Sequence, residues 1–154
     1  MGNVTTAESY AHALTAGDFA HAATTGYYAN AATAGFNAHA TTTGDDARAI
    51  TTGNLSHALT AGDDTRATTA GRLAHALAAG DRAKTSVSGE NSVAVAVGAN
   101  SYARAANGGF IVLAQYSGAT IVAVKTAQVG KDGIKPDTWY KLSPTGEFVE
   151  AKVG

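Results

Sequence analysis

Gly17-Asp18-Phe19-Ala20-His21-Ala22-Ala23-Thr24-Thr25, followed at once by Gly26, is one unit of the repeat that decides how this chain folds. Glycine returns at every ninth position as Gly17, Gly26, Gly35, Gly44, Gly53, Gly62, Gly71, Gly80, Gly89 and Gly98. A fixed short period over most of a chain is the signature of a repeat architecture, in which each unit buries its apolar side only against its neighbours. Within each unit the third and fifth residues after glycine are small. They run Ala20, Ala29, Ala38, Ala47, Ser56, Thr65, Ala74, Ala83, Ser92 in one series, and Ala22, Ala31, Ala40, Ala49, Ala58, Ala67, Ala76, Thr85, Ala94 in the other. The second, fourth and sixth residues are instead aromatic, charged or large and aliphatic.

That alternation has a period of two, so each unit predicts a short strand with small residues inward and larger ones outward. Alanine favours helix, yet a glycine in every ninth place and the Thr pairs would stop each helix after about two turns. The Thr-(Thr/Ala)-Gly-Asp segments are expected to make the corners, with Thr15, Thr24, Thr33, Thr42, Thr51, Thr60 and Thr69 placed there. The fourth residue after glycine reads Asn30, His39, Arg48, His57, Arg66, His75, Lys84, so the true period is eighteen, two strands per coil. The expected fold is all-β: a two-sided parallel β-solenoid of 18-residue coils. It should have roughly five coils, each rising about 4.8 Å.

Sorting outward residues by side separates two chemistries. One face gathers Phe19, Asn37, Leu55 and Leu73; a ladder of His21, His39, His57 and His75; and Ala23, Thr41, Leu59 and Leu77. The other gathers Tyr10, Tyr28, Asp46, Asp64 and Arg82, beside a row of His12, Asn30, Arg48, Arg66 and Lys84. A third row there runs Leu14, Ala32, Ile50, Thr68 and Ser86. Contiguous apolar patches on a soluble surface mark interfaces. Phe19, His21, His39, Leu55, His57, Leu59, Leu73, His75 and Leu77 are therefore expected to be covered, by another copy of the chain or by the C-terminal part. Four imidazoles in one line point in parallel, unlike the convergent set that zinc needs, so structural stacking is the expectation and no metal or other cofactor is foreseen. Arg48, Arg66 and Lys84, with Tyr28 as a stacking platform, are candidates for holding a small anionic ligand, because guanidinium forks receive phosphate and carboxylate. Asp46 and Asp64 are expected to compensate part of the cationic row.

The repeat decays after Gly98, dividing the sequence into a solenoid over 1–107 and a cap over 108–154. In the cap, Phe110–Tyr116 and Thr120–Lys125 predict two strands about Ser117-Gly118. Thr138–Leu142 and Glu147–Glu150 predict a hairpin about Pro144-Thr145-Gly146, with Trp139 in the cap core. This antiparallel unit supplies the larger side chains that the solenoid lacks and is expected to close its open end.

The tandem units Thr24-Thr25-Gly26-Tyr27-Tyr28-Ala29-Asn30-Ala31 and Thr52-Gly53-Asn54-Leu55-Ser56-His57-Ala58 resemble a group of bacterial and phage proteins carrying arrays of Thr-Thr-Gly-x-x-Ala-His-Ala. The tail from Phe110-Ile111-Val112-Leu113-Ala114 through Trp139-Tyr140-Lys141-Leu142 is similar to the ending of such proteins, so the likeness spans nearly the whole chain. The resemblance implies a phage or mobile-element source, hence the bacterial cytoplasm or a virion. It transfers no activity and no site residue.

The net charge of −1 with 15% charged residues argues against nucleic acid or a membrane surface as partner. Cysteine is absent, no apolar run approaches the ~20 residues of a membrane span, and no charged-then-apolar targeting start is present. No nucleophile–base pair, paired carboxylates or phosphate loop stands outside the repeat lattice, so an enzyme is not expected. The sequence predicts a self-associating binding module of phage or mobile-element origin, suited to sequestering a small, nucleotide-like anionic signal of host defence. The alternative is a structural or adhesive solenoid such as a fibre component, and a lesser one an ice-binding solenoid built on its threonines.

Overall fold

The computed structural model describes residues 2–153. Six short strands open the chain: β1 (Asn3–Thr6), β2 (His12–Ala16), β3 (His21–Thr25), β4 (Asn30–Ala34), β5 (His39–Thr43) and β6 (Arg48–Thr52). Then come β7 (His57–Ala61), β8 (Arg66–Ala70), β9 (His75–Ala79), β10 (Lys84–Val87), β11 (Val93–Ala96) and β12 (Tyr102–Ala105). Odd-numbered strands stack in parallel in one sheet, which carries the histidine ladder, and even-numbered strands in a second, which carries the arginines. The register is eighteen residues throughout, with His21 opposite His39 and Arg48 opposite Arg66. The chain is thus a two-sided parallel β-solenoid. It has six coils rather than five, because Asn3–Thr6 and Tyr102–Ala105, outside the run of regular glycines, pair in the same register.

Alanine sets the thickness of the interior. Ala20, Ala22, Ala38, Ala40, Ala47 and Ala49 are fully buried, and their counterparts in other coils follow suit. The threonines depart from expectation. Thr24, Thr33, Thr42, Thr51, Thr60 and Thr69 do not lie at corners; they face inward and are at most 4% exposed. The period of two simply continues for one more step past the second alanine, giving each strand a third inward position before the chain turns. Thr60 Oγ1 donates to Thr65 Oγ1 at 3.0 Å, whereas the Oγ1 atoms of Thr24, Thr33, Thr42, Thr51 and Thr69 have no protein partner. Serines at the first inward position are better served: Ser92 Oγ donates to the Gly71 carbonyl at 3.1 Å and accepts from the Ala74 amide at 3.1 Å, one coil back.

The second residue after each glycine also departs from expectation. It lies in the corner with a left-handed backbone, as at Phe19 (φ 57°), Tyr28 (57°), Leu55 (58°), Asp64 (56°) and Leu73 (56°), and not on the strand face. From Gly17 to Gly80 the repeat glycine itself takes a positive φ, 155° at Gly71, and a Cβ there would run into the Gly53 carbonyl of the coil before. Asx residues finish the corner. Asp63 Oδ1 accepts the Asp81 amide at 2.8 Å, and Asn54 Oδ1 accepts the Arg72 amide at 2.9 Å, each from eighteen residues further on.

The C-terminal part extends both sheets. β13 (Phe110–Ser117) adds in parallel to β11, and β14 (Thr120–Gln128) returns antiparallel beside it with an irregularity between Gln115 and Tyr116. β15 (Tyr140–Leu142) pairs antiparallel with β12, and β16 (Phe148–Glu150) with β15. Between them the interior widens to admit Ile111, Leu113, Val129, Ile134 and Tyr140. Tyr140, 2% exposed, takes the core place expected of Trp139. Its hydroxyl accepts the Lys135 amide at 2.9 Å. Trp139 is half-buried, with the Arg104 guanidinium 4.8 Å from its ring centroid.

Two stability outcomes follow from this interior. Val87 already stands in the row of Thr69, so Thr51→Val in the same row should raise the unfolding free energy by about 1 kcal/mol by removing a hydroxyl buried without a partner. Gly71→Ala should lower it by about 3 kcal/mol, the cost of a side chain in that backbone region plus the lost approach of two coils. Urea denaturation followed by circular dichroism reads both.

Candidate functional site

The stacking that builds the fold also builds its surfaces, because an eighteen-residue register sets each outward side chain on its counterpart in the next coil. On the histidine sheet the imidazoles of His21, His39, His57 and His75 stack with centroids 4.8, 4.8 and 5.2 Å apart. Planes of the first three are within 15° of parallel, at 5° and 14°. Rings stacked in this way do not converge on a shared point, and no group of three or more metal-binding side chains gathers among the described residues. Beside the ladder runs a row in register from Leu59 through Leu77 and Val95 to Val112. Leu55 and Leu73 border it from the corners, each exposed.

The C-terminal strands do not cover this face; they lengthen it. Phe110 follows Val93 above His75, and Val122 and Val124 of β14 are more than half exposed at 54% and 56%. The covering expected from the C-terminal part is therefore absent within one chain. Phe19 stands apart at the first corner, edge-on to Phe36 at 6.1 Å. What the repeat alone could not supply was the continuation through Val95, Phe110, Val112 and Val124, since those residues lie where the nine-residue unit degrades.

Burial pushes the imidazoles of His39 and His57 below their ordinary value, and the adjacent imidazoles of the ladder push them in the same direction. Two neighbouring charges in one stack repel, and the leucine row offers neither with a counterion.

The arginine sheet carries the opposite chemistry. Arg48, Arg66 and Lys84 stand opposite one another on β6, β8 and β10, and Tyr102 on β12 continues the row. Among the described residues no acidic side chain forms an ion pair with any of the three cations. Asp64 compensates the row in part, by attraction to Lys84 without an ion pair, but its principal partner lies elsewhere. Asp64 is clasped by Arg82, directly above it in the corner row, through Arg82 Nε at 3.0 Å and Nη2 at 2.6 Å. That pairing draws the Asp64 carboxyl below the usual carboxylate range. Burial lowers the pKa of Arg66, and the nearby Arg48 and Arg104 guanidiniums lower it further. Arg104, one strand on in the adjacent row, donates from Nε to Ser86 Oγ at 2.8 Å.

Tyr28 does not join the cations in a pocket. It sits at a corner, stacked on Tyr10 at 5.3 Å and edge-on to Tyr27 at 4.3 Å. A cleft of about 520 Å³ does exist between the last corner and the cap, lined by Asn100, Tyr102, Gln115, Tyr116 and Lys141 among others. None of Tyr28, Arg48, Arg66 and Lys84 lines it. No family model, curated protein or solved structure matches the chain.

The lowered imidazoles give stability a pH dependence of definite sign. A histidine whose folded pKa lies below its unfolded value takes its proton more readily in the unfolded chain, so stability is full above the ordinary value near 6.5 and falls as the pH drops through that value. Denaturation midpoints measured at pH 7.5 and 5.0 should fall on acidification. The fall should be smaller in His39→Asn with His57→Asn, a replacement the fold accommodates because Asn30 holds the equivalent place on the opposite sheet.

Proposed function

We propose that this chain is a non-enzymatic interaction module that associates with a second copy of itself through the histidine sheet and leaves the cationic row of the arginine sheet for an anionic ligand. The observation that carries this reading is the unbroken apolar strip from Leu59 through Leu77, Val95 and Val112, edged by exposed Leu55 and Leu73. Leu55 and Leu73 stand at exposed corner positions that Asn37 and Asn91 fill in other coils of the same face, so they add apolar area to the edge of the strip where a polar residue serves the backbone equally well.

A second copy suits the strip for three reasons. Its ladder and rows hold only imidazole and uncharged side chains from His21 to Val112, so two such faces meet without charge repulsion, whereas two arginine sheets would repel. The face repeats in register every eighteen residues, a regularity that suits a two-fold pairing of like surfaces. The six odd-numbered strands from β3 to β13, at about five residues each, span roughly 30 by 17 Å, about 500 Å² in projection, which side-chain relief raises toward the ~800 Å² per partner that a stable dimer buries. Ligand capture on the outward arginine sheet of each copy is the binding form of this reading, with Arg48, Arg66 and Lys84 as its residues. The structural or adhesive reading draws support from the in-register parallel stacking of both sheets. The ice-binding reading loses its surface, since Thr24, Thr33, Thr42, Thr51, Thr60 and Thr69 lie inside.

Leu55→Asp combined with Leu73→Asp tests the association without threatening the fold, because Asp46 and Asp64 already occupy the matching backbone position at φ 56°. Sedimentation of the unmodified chain should give a dimer or a multiple of it. The double variant should sediment as a folded monomer, with association weakened at least about a hundredfold by two charges buried against apolar surface. An unchanged mass in the variant, or a monomer in the unmodified chain, removes the proposal.

A further inference from the structure

We infer that the ligand of the arginine sheet is a linear carboxylated polysaccharide lying along the solenoid axis, with one uronate held at each successive coil. The inference rests on the anion-binding reading above and names the class of ligand. The argument starts from the spacing. Arg48, Arg66 and Lys84 are carried by hydrogen-bonded neighbouring strands, so successive cations stand about 4.8 Å apart on a rigid lattice. A sugar ring in an extended chain advances by a comparable distance, so consecutive uronates meet consecutive coils. A compact ligand could engage only part of such a row. Small-molecule sites are concave and cover most of their ligand, while Arg48 and Arg66 cross an open sheet and only the Lys84–Tyr102 end borders a recess, of about 180 Å³.

Charge density narrows the class. The row has one positive charge per coil and, among the described residues, no ion-paired partner; Asp64 near Lys84 is held by Arg82, and the corner beside the row is acidic through Asp45, Asp46, Asp63 and Asp81. A polymer with one charge per sugar fits between them. Nucleic acid and polyphosphate carry charge more densely and gain affinity by neutralising many phosphates at once, which three cations flanked by carboxylates do not provide. Guanidinium forks match carboxylate geometry through two parallel hydrogen bonds.

The ground on either side suits a sugar chain. Thr68 and Ser86 stand in the next row, and beyond them the outer positions are Ala34, Thr52, Ala70 and Ser88, all small. They leave a shelf bounded by exposed Ile50 beside Arg48 and by Arg104, which engages the buried Ser86 hydroxyl, so Thr52 and Thr68 are left to offer hydroxyls to the ring oxygens. Tyr102 ends the cationic row with an aromatic ring, a surface on which the apolar face of a sugar packs.

Calorimetry with oligoguluronates of one to eight sugars tests the inference, using the full chain at low and at moderate ionic strength. Affinity should rise at least about a hundredfold from the single sugar to four sugars and then level off as the cations are used. Arg66→Gln should weaken the tetramer about tenfold, the worth of one charge-assisted contact. Its fold is safeguarded by the uncharged Asn30 and Tyr102 in the same row, and circular dichroism checks it. A single uronate or inorganic phosphate binding as tightly as the tetramer would overturn the linear ligand while leaving anion binding intact. Equal binding of single-stranded oligonucleotide or polyphosphate would overturn the carbohydrate assignment. Binding of none of these anions would sink both this inference and the anionic reading beneath it.

Discussion

The approach of one glycine to the glycine eighteen residues earlier governs everything else in this molecule. At each corner the carbonyl of the preceding coil occupies the space a β-carbon would need, as at Gly71 over Gly53. Only a residue without one lets successive coils close to ladder distance. Closing that gap aligns the strands in register, and alignment brings the corner amides within reach of the Asx side chains below, as in Asp45 receiving the Asp63 amide at 2.9 Å. The corner therefore sets the height of the coil, while alanine sets its thickness. A larger residue at either place would force the two sheets or two coils apart along its whole row, because every row repeats the same contact.

Thinness has an energetic consequence. Alanine has little area to bury, and at about 25 cal/mol per Å² the central coils gain less per residue than an ordinary core. Backbone ladders must therefore contribute a larger share, and they run through every coil on both sheets. Where the repeat ends, the chemistry changes in the direction this predicts. Ile111, Leu113, Val129, Ile134 and Tyr140 fill the terminal interior, and β14 and β16 become the last strands of their sheets. The exposed leucines of the histidine sheet fit the same account, because apolar area that a narrow interior cannot accept lies outside, where only another molecule can bury it.

The period made the fold legible. Glycine every ninth residue and the alternation of His39, Arg48, His57 and Arg66 are sufficient for two strands per coil, since an in-register stack permits no other arrangement of those rows. The face assignments of His21, His57, Leu59, Leu77, Arg48 and Lys84 follow from the same arithmetic. What was not legible depended on where a strand stops. Thr24 and its counterparts belong to the strand, yet β-branched residues beside glycine read as corner. Leu55 and Leu73 read as strand residues because alternation does not reveal a backbone that has turned left-handed. Asp64 was expected to serve the arginine row, but a guanidinium directly above it in its own corner, that of Arg82, outcompetes a neighbour to the side. The regular Asp45, Asp63 and Asp81 were the visible sign of the corner hydrogen bonds, and their spacing of eighteen was the signal that could have revealed them.

An in-register solenoid amplifies whatever it places outside, and the two sheets show the two outcomes. A neutral side chain stacked on its like gains contact, so imidazoles and leucines grow more apolar as a group than any one is alone, and acid weakens the group by charging it. A cation stacked on its like gains only repulsion; at Arg66 burial lowers the pKa first and the Arg48 and Arg104 guanidiniums lower it further. The same translation by one coil therefore makes one face an uncharged apolar strip and the other a row of like charge at Arg48, Arg66 and Lys84. A ligand of the class proposed for the second face would repeat as the coil does, since a charge that neutralises Arg48 leaves Arg66 and Lys84 as they were. Polymers with one charge per coil height satisfy that condition along the whole row, and compact anions satisfy it at a single step.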